Sequence, residues 1–253
     1  MTNSIIAWGD SILKGVVSGG DSKRFDITEN DSLSQACRAL GIELTNKRVF
    51  GSWMTKTRRT QDRSIRAGNI AQMAIIESGT NDCDYDWTAV SQNPDGDHLQ
   101  RCPLDEFKKL MQEAVEVCRQ NKITPVIMTL TPLVPEWWFN NICIGNDPAA
   151  IKKFVERKYC LQDQNAGGQN CPQDQDCGAA ALRLYQNQEL YSLTAANIAR
   201  ALNVQIVDIR SEFLAHPNYK SLMCLDGVHP NQAGYDFMAE IWKREIPGLR
   251  VEE

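Results

Sequence analysis

The chain has 253 residues, 42% of them hydrophobic and 23% charged, with a formal net charge of −5. That length suits one large α/β domain or two small ones, and either can build a core without staples. Intermixed acids and bases with a negative total argue against nucleic acid or an anionic membrane as the main partner. No apolar run approaches the roughly 18 residues of a membrane span.

The first ten residues lack the basic start and long apolar middle of a signal peptide, so the expected location is cytoplasmic. Of the nine cysteines, Cys37 and Cys118 fall on apolar faces of predicted helices. Cys83, Cys102, Cys143, Cys160, Cys171, Cys177 and Cys224 lie in or near loops. Reduced thiols are the main expectation, with one or two loop disulfides or a metal as the alternative.

In chain order, buried strands are predicted at 4–8 ("SIIAW"), 43–50, 73–78 ("MAIIES"), 125–130 ("PVIMTL") and 204–209 ("VQIVDI"). These runs are near-continuous rather than alternating, as in a parallel sheet covered on both faces. Helices are predicted between them. Residues 32–40 carry Leu33, Ala36, Cys37 and Leu40, with Ser32 and Gln35 as a capping box. Residues 103–120 carry a stripe from Leu104 to Cys118. Residues 185–202 repeat the pattern through Leu190, Leu193, Ile198, Ala201 and Leu202. The last helix, about 231–245, shows Ala233, Phe237, Ile241 and Trp242. This alternation predicts one open parallel sheet with helices on both faces. Residues 161–178, "LQDQNAGGQNCPQDQDCG", read as a polar surface insertion within a single domain.

Ligands of open α/β sheets bind beyond the carboxyl ends of the strands. Ser11, Gly51, Asn81, Thr131, Asp226 and His229 all follow strands there. Ser11, in "GDS", is either a turn or N-cap serine or a nucleophile at a strand-to-helix turn. Asp226 and His229, in "DGVHP", are either a helix-start acid and an unrelated histidine or an acid–base pair. Asn81, in "GTND", either makes a turn or aims its amide into the cleft. Of the other histidines, His98 sits at a loop tip and His216 precedes Pro217 on the surface.

The blocks Gly9-Asp10-Ser11 with Gly15, Gly51, Gly79-Thr80-Asn81-Asp82, and Asp226-x-x-His229-Pro230 resemble, in that order, those of the SGNH (GDSL-type) hydrolases. The resemblance implies a three-layer α/β/α sandwich, flavodoxin-like, with a five-stranded parallel sheet. It implies Ser11 as nucleophile, His229 as general base and Asp226 as the residue orienting it. The oxyanion donors would be the Ser11 and Gly51 amides and the Asn81 side chain, with Asp10 and Asp82 structural. It implies a small-molecule ester substrate with a small or carbohydrate-linked acyl group, or a thioester or lysophospholipid, and neither metal nor organic cofactor. A non-catalytic ligand-binding domain on the same fold is the competing reading, and a nucleotide or flavin binder a third. Phe50 departs from the pattern, which has a small polar residue before the glycine.

Other motifs carry less. "DCDYDW" lacks the glycine and the final glutamate of a calcium loop, and no phosphate-binding glycine loop is present. Trp53, Trp87, Trp137, Trp138 and Phe139 either pack the core or wall the site. Arg58, Arg59, Arg63 and Arg66, at near-helical spacing, read as a solvated face.

Overall fold

Strands with no polar alternation have two faces to bury, and three of them form the middle of the sheet between two more polar edge strands. A computed structural model describes residues 2–19, 24–165 and 177–252. The elements are β1 (Ser4–Trp8), α1 (Ser11–Lys14), β2 (Val16–Ser18), β3 (Phe25–Ile27), α2 (Ser32–Leu40), β4 (Glu43–Asn46), α3 (Met54–Arg66) and β5 (Met73–Ile76). They continue with α4 (Trp87–Gln92), α5 (Leu104–Gln120), β6 (Thr124–Met128), α6 (Pro135–Ile142), α7 (Pro148–Asn165), α8 (Cys177–Ala201), β7 (Gln205–Val207), α9 (Ile209–Ala215) and α10 (Gln232–Glu245). Five strands form a parallel sheet in the order β4-β1-β5-β6-β7, with Ile5 opposite Leu44 and Met73. The order turns around at β1, so the crevice beyond its end lies at the topological switch point.

Alternate side chains serve opposite layers. Ile5, Ala7, Met73, Ile75 and Val126 pack with Leu33 of α2, Phe213 of α9 and Tyr235, Met238 and Trp242 of α10. Ile6, Trp8, Ala74, Ile76 and Ile127 pack with Met54 of α3, Phe107, Met111 and Val115 of α5 and Tyr191 and Ile198 of α8. A third cluster joins Tyr85, Trp87, Leu133, Trp138, Phe139, Phe154 and Leu184 from the connections and α4, α6, α7 and α8. Trp87, Trp138 and Phe139 are therefore packing residues, and Trp137 rests on the first core.

Several local expectations need correction. The cap of α2 is Asp31, whose carboxylate accepts from the Ser34 N–H at 2.9 Å. The acid outcompetes Ser32 because it also meets Arg48 in a buried, two-pronged ion pair. On α8, Leu190 and Leu193 are exposed. The buried stripe runs through Leu184, Gln188, Tyr191 and Ala195, and its polar member Gln188 donates to the Thr131 carbonyl at 2.9 Å. On α10, Tyr235 and Met238 are buried while Ala233 is exposed.

The alternation of strands and helices implied a helix between the second and third strands, and α3 is that helix; the antiparallel hairpin β2–β3 was not foreseen. The inner face of α3 is Met54, Thr57, Gln61 and Ser64, a helical stripe written mostly in polar letters. Gln61 satisfies itself on the Ala114 carbonyl at 3.0 Å, so burial costs little. Most of the expected insertion at 161–178 lies outside the described residues, but its flanks belong to α7 and α8. Cys37, Cys83, Cys102, Cys118 and Cys224 are free thiols. The side chains of Cys160, Cys171 and Cys177 lie outside the described residues.

Candidate active site

The chain leaves β1 at Gly9 and turns immediately into the single turn α1. The Asp10 carboxylate caps that turn, accepting from the Ile12 N–H at 2.8 Å. Ser11 is the first helical residue, so its own N–H has no partner within the helix. Gly9 leaves room for Glu77, since a Cβ there would stand 2.9 Å from Oε2 of that residue. Glu77 is fully buried at the end of β5, and its Oε2 accepts the Asp10 N–H at 3.0 Å. Its Oε1 has no partner among the described residues. Burial, with the Asp10 charge beside it, pushes the Glu77 carboxyl well above the usual carboxylate range.

His229 enters from the loop before α10. Its Nε2 accepts from Ser11 Oγ at 2.9 Å, and its Nδ1 donates to Asp226 Oδ2 at 2.7 Å. The other carboxylate oxygen, Oδ1, accepts the Val228 and His229 amides at 2.9 and 3.0 Å. Burial alone would raise the Asp226 carboxyl, but these donors and the imidazole bring it below its ordinary value. Asp226 is thus an anion that fixes the ring with its proton on Nδ1 and its lone pair toward the serine. The loop reaches this position because Gly227, at φ +74°, lies against α6. A Cβ there would meet the Trp138 nitrogen at 2.4 Å.

Asn81 follows β5, and its Nδ2 donates to Asp10 Oδ2 at 2.8 Å, leaving the second amide proton for a ligand. Asp82 beneath it accepts from the Met54 N–H at 2.7 Å and the Ser78 hydroxyl at 3.0 Å. Burial pushes its carboxyl up to about 7 against those lowering contacts. Gly51 lies in the turn after β4, where the Val49 N–H donates to the Gly9 carbonyl at 2.9 Å. Neither the Ser11 nor the Gly51 N–H meets an acceptor among the described residues.

Ser11 and His229 are only 5% and 7% exposed. Two aromatic rings stand over the imidazole: Phe25 of β3 edge-on with centroids 5.5 Å apart, and Phe50 nearly parallel at 6.5 Å. The structure therefore brings together Ser11, Asp226 and His229, and ties Asn81 to the same turn through Asp10. It sets Thr131 apart, committed to Gln188. His98 and His216 are occupied locally, by the Asn93 carbonyl and the Asn218 N–H. Sequence reasoning missed Phe25 and Glu77. A signal for Glu77 was present, because an acid ending a strand buried on both faces needs a partner. No cluster of metal-ligating side chains occurs among the described residues.

Comparison with known proteins agrees with this arrangement of strands and turns. The lipase/acylhydrolase of Enterococcus faecalis superposes with a TM-score of 0.62 at 14% identity, covering 99% of this chain and 98% of that one. A catalytic mutant of Axe2, an acetylxylan esterase from Geobacillus stearothermophilus, gives 0.61 at 18% identity, over 99% and 96%. A putative lipolytic protein of the G-D-S-L family from Desulfitobacterium hafniense gives 0.60 at 16%, over 96% and 98%. No curated protein sequence matches the chain. A family model does match, over residues 7–237, and by it the chain belongs to the GDSL-like lipase/acylhydrolase family.

Proposed function

We propose that this hydrolase cleaves carboxylic esters of small acyl groups, through an acyl-enzyme on Ser11. The observation that carries the reading is the unbroken chain Asp226–His229–Ser11, with links of 2.7 and 2.9 Å. Ser11 Oγ attacks the ester carbonyl carbon while its proton passes to His229 Nε2. The resulting oxyanion meets the free N–H groups of Ser11 and Gly51 and the second Asn81 amide proton. Each such donor is worth about 3–4 kcal/mol in the transition state. On collapse, His229 gives its proton to the departing alkoxide, and the alcohol leaves. Water then attacks the acyl carbon with His229 again as base, and Ser11 is regenerated. The side chain of Asp226 keeps the imidazole in the required tautomer throughout.

A binding domain that had lost its chemistry would not need the hydroxyl and imidazole in contact, so the geometry favours catalysis. The acetylxylan esterase among the similar folds supports a carbohydrate-linked ester as the substrate. Hydrolysis of p-nitrophenyl acetate, butyrate and octanoate by wild type, Ser11→Ala and His229→Ala tests the reading. Wild type is expected to turn over, fastest on the short chain, and both variants to fall by roughly a thousandfold or more. Full activity in Ser11→Ala would refute it.

A further inference from the structure

We propose that Gln188 of α8 is a positioning residue for Asn81, clamping the turn that presents the proposed oxyanion donor. This deepens the esterase reading and rests on it. Gln188 is fully buried on the inner stripe of α8, where an apolar side chain would leave no polar group to satisfy. Both ends of its amide are committed. Its Nε2 donates to the Thr131 carbonyl at 2.9 Å and to Thr80 Oγ1 at 3.3 Å. Its Oε1 accepts from Arg210 Nη1 at 2.8 Å. A guanidinium has no acceptor, so the amide oxygen must face Arg210 and the nitrogen must face the two threonines. Arg210 is itself held in place. It is buried, its guanidinium carbon stands 4.9 Å over the Tyr185 ring, and its backbone N–H donates to Thr129 Oγ1 at 3.0 Å. One side chain therefore ties together the turns beyond β5 and β6.

The turn beyond β5 is the one that carries Asn81. Thr80 immediately precedes Asn81, and Cys83 follows two residues later. Gln188 holds Thr80, and its neighbour Asn187 donates through Nδ2 to the Cys83 carbonyl at 3.0 Å. Asn187 is oriented in turn by Gln100, whose Nε2 donates to its Oδ1 at 2.9 Å. Asp82 ties the same turn to the start of α3 through the Met54 N–H, so α3 and α8 grip it through different residues. Asp10 then fixes the Asn81 side chain, accepting from Nδ2 at 2.8 Å. An oxyanion donor works by its placement, and a shift of about 1 Å at such a group can cost on the order of a hundredfold in rate. The ground-state carbonyl gains little from the same donor, so a loosened turn should lower kcat and leave KM nearly unchanged.

The test is a double-mutant cycle with Asn81, read as kcat and KM on p-nitrophenyl acetate. Gln188→Leu should lower kcat about ten- to hundredfold with KM little changed. Thr80→Val breaks only the bond to the turn and keeps Arg210, Gln188 and Thr131 joined; it should lower kcat about three- to tenfold. In an Asn81→Ala background each substitution should cost less than about twofold more, because the donor being placed is gone. Gln61→Leu removes an equally buried glutamine, bonded to the Ala114 carbonyl, and should lower stability while kcat stays near wild type. Losses that persist in full in the Asn81→Ala background, or Thr80→Val at wild-type kcat, would overturn the proposal. With Ser11→Ala inactive, Asn81→Ala at full kcat would also overturn it while the esterase reading stands. If wild type cleaves no ester, that reading fails, and amide hydrogen exchange over residues 79–84 decides on the clamp. Faster exchange in Thr80→Val than in wild type would uphold it; unchanged exchange would overturn it.

Discussion

Two buried acids flank the turn that carries Ser11, and the structure treats them in opposite ways. Asp226 and Glu77 are 1% and 0% exposed, so desolvation works against charge at both. Asp226 accepts from two amides and the His229 ring, and its carboxyl falls below the ordinary range. Glu77 accepts one amide, leaves Oε1 unpartnered, faces the charge of Asp10, and rises well above it. Burial is common to the pair; the number of donors decides the charge. Asp226 meets the His229 ring with its carboxyl held toward the anion, and Glu77 braces the turn that carries Ser11 with its carboxyl held toward the neutral form.

The strongest way to break this contrast is to remove the negative charge without removing the shape. Asp226→Asn should lower kcat by roughly ten-thousandfold, because an amide can stabilise the wrong imidazole tautomer. Steady-state kinetics on p-nitrophenyl acetate would show it; a loss below tenfold would mean that Asp226 does not set the ring. Next in size is Asn81→Ala, expected to cost about a hundred- to thousandfold in kcat with little change in KM. A change confined to KM would move Asn81 from the oxyanion to substrate binding.

Glu77 sharpens the other side. Glu77→Gln keeps a neutral acceptor for the Asp10 N–H, so urea denaturation should show a loss under about 1 kcal/mol, whereas Glu77→Ala orphans that amide and should cost about 1–3 kcal/mol. Equal losses would mean that the Asp10 N–H draws no stability from an acceptor at this position.

A further effect concerns pH. Burial raises the folded Asp82 carboxyl to about 7 from its ordinary value of 3.8. Between those values the folded state binds the extra proton, so this group makes stability fall as pH rises from about 4 to about 7. Asp226 has the opposite sign: its contribution is full above the unfolded value and is lost only as pH falls through the lower folded one. The difference in stability between wild type and Asp82→Asn should therefore vary across about pH 4–7. A constant difference would show that Asp82 does not titrate there.

The same contrast explains what the sequence could say. The three inner strands were legible because a sheet covered on both faces demands unbroken apolar runs such as Ile5-Ile6-Ala7-Trp8. The edge strand β4 is instead the polar Glu-Leu-Thr-Asn, with no buried residue, and stops at Asn46 rather than running through Phe50 as a buried strand. The core of the site was legible because each member sits at a fixed offset from a strand end or from its partner, as Asp226 does from His229. What escaped depends on tertiary placement. The inner face of α3 is Thr57, Gln61 and Ser64, satisfied by groups far along the chain, so no hydrophobic period announced it. The three-residue strands of the β2–β3 hairpin are too short to signal themselves, and they alone bring Phe25 to His229. Leu190 and Leu193 misled for the converse reason, because the buried stripe of α8 carries Gln188 and Ser192 in place of leucine.

The most direct test of the central claim is mass spectrometry of the protein after reaction with a fluorophosphonate ester. The account predicts one adduct, on Ser11, absent from Ser11→Ala and strongly slowed in His229→Ala. An unlabelled protein, or an adduct on any other residue that survives Ser11→Ala, would contradict it.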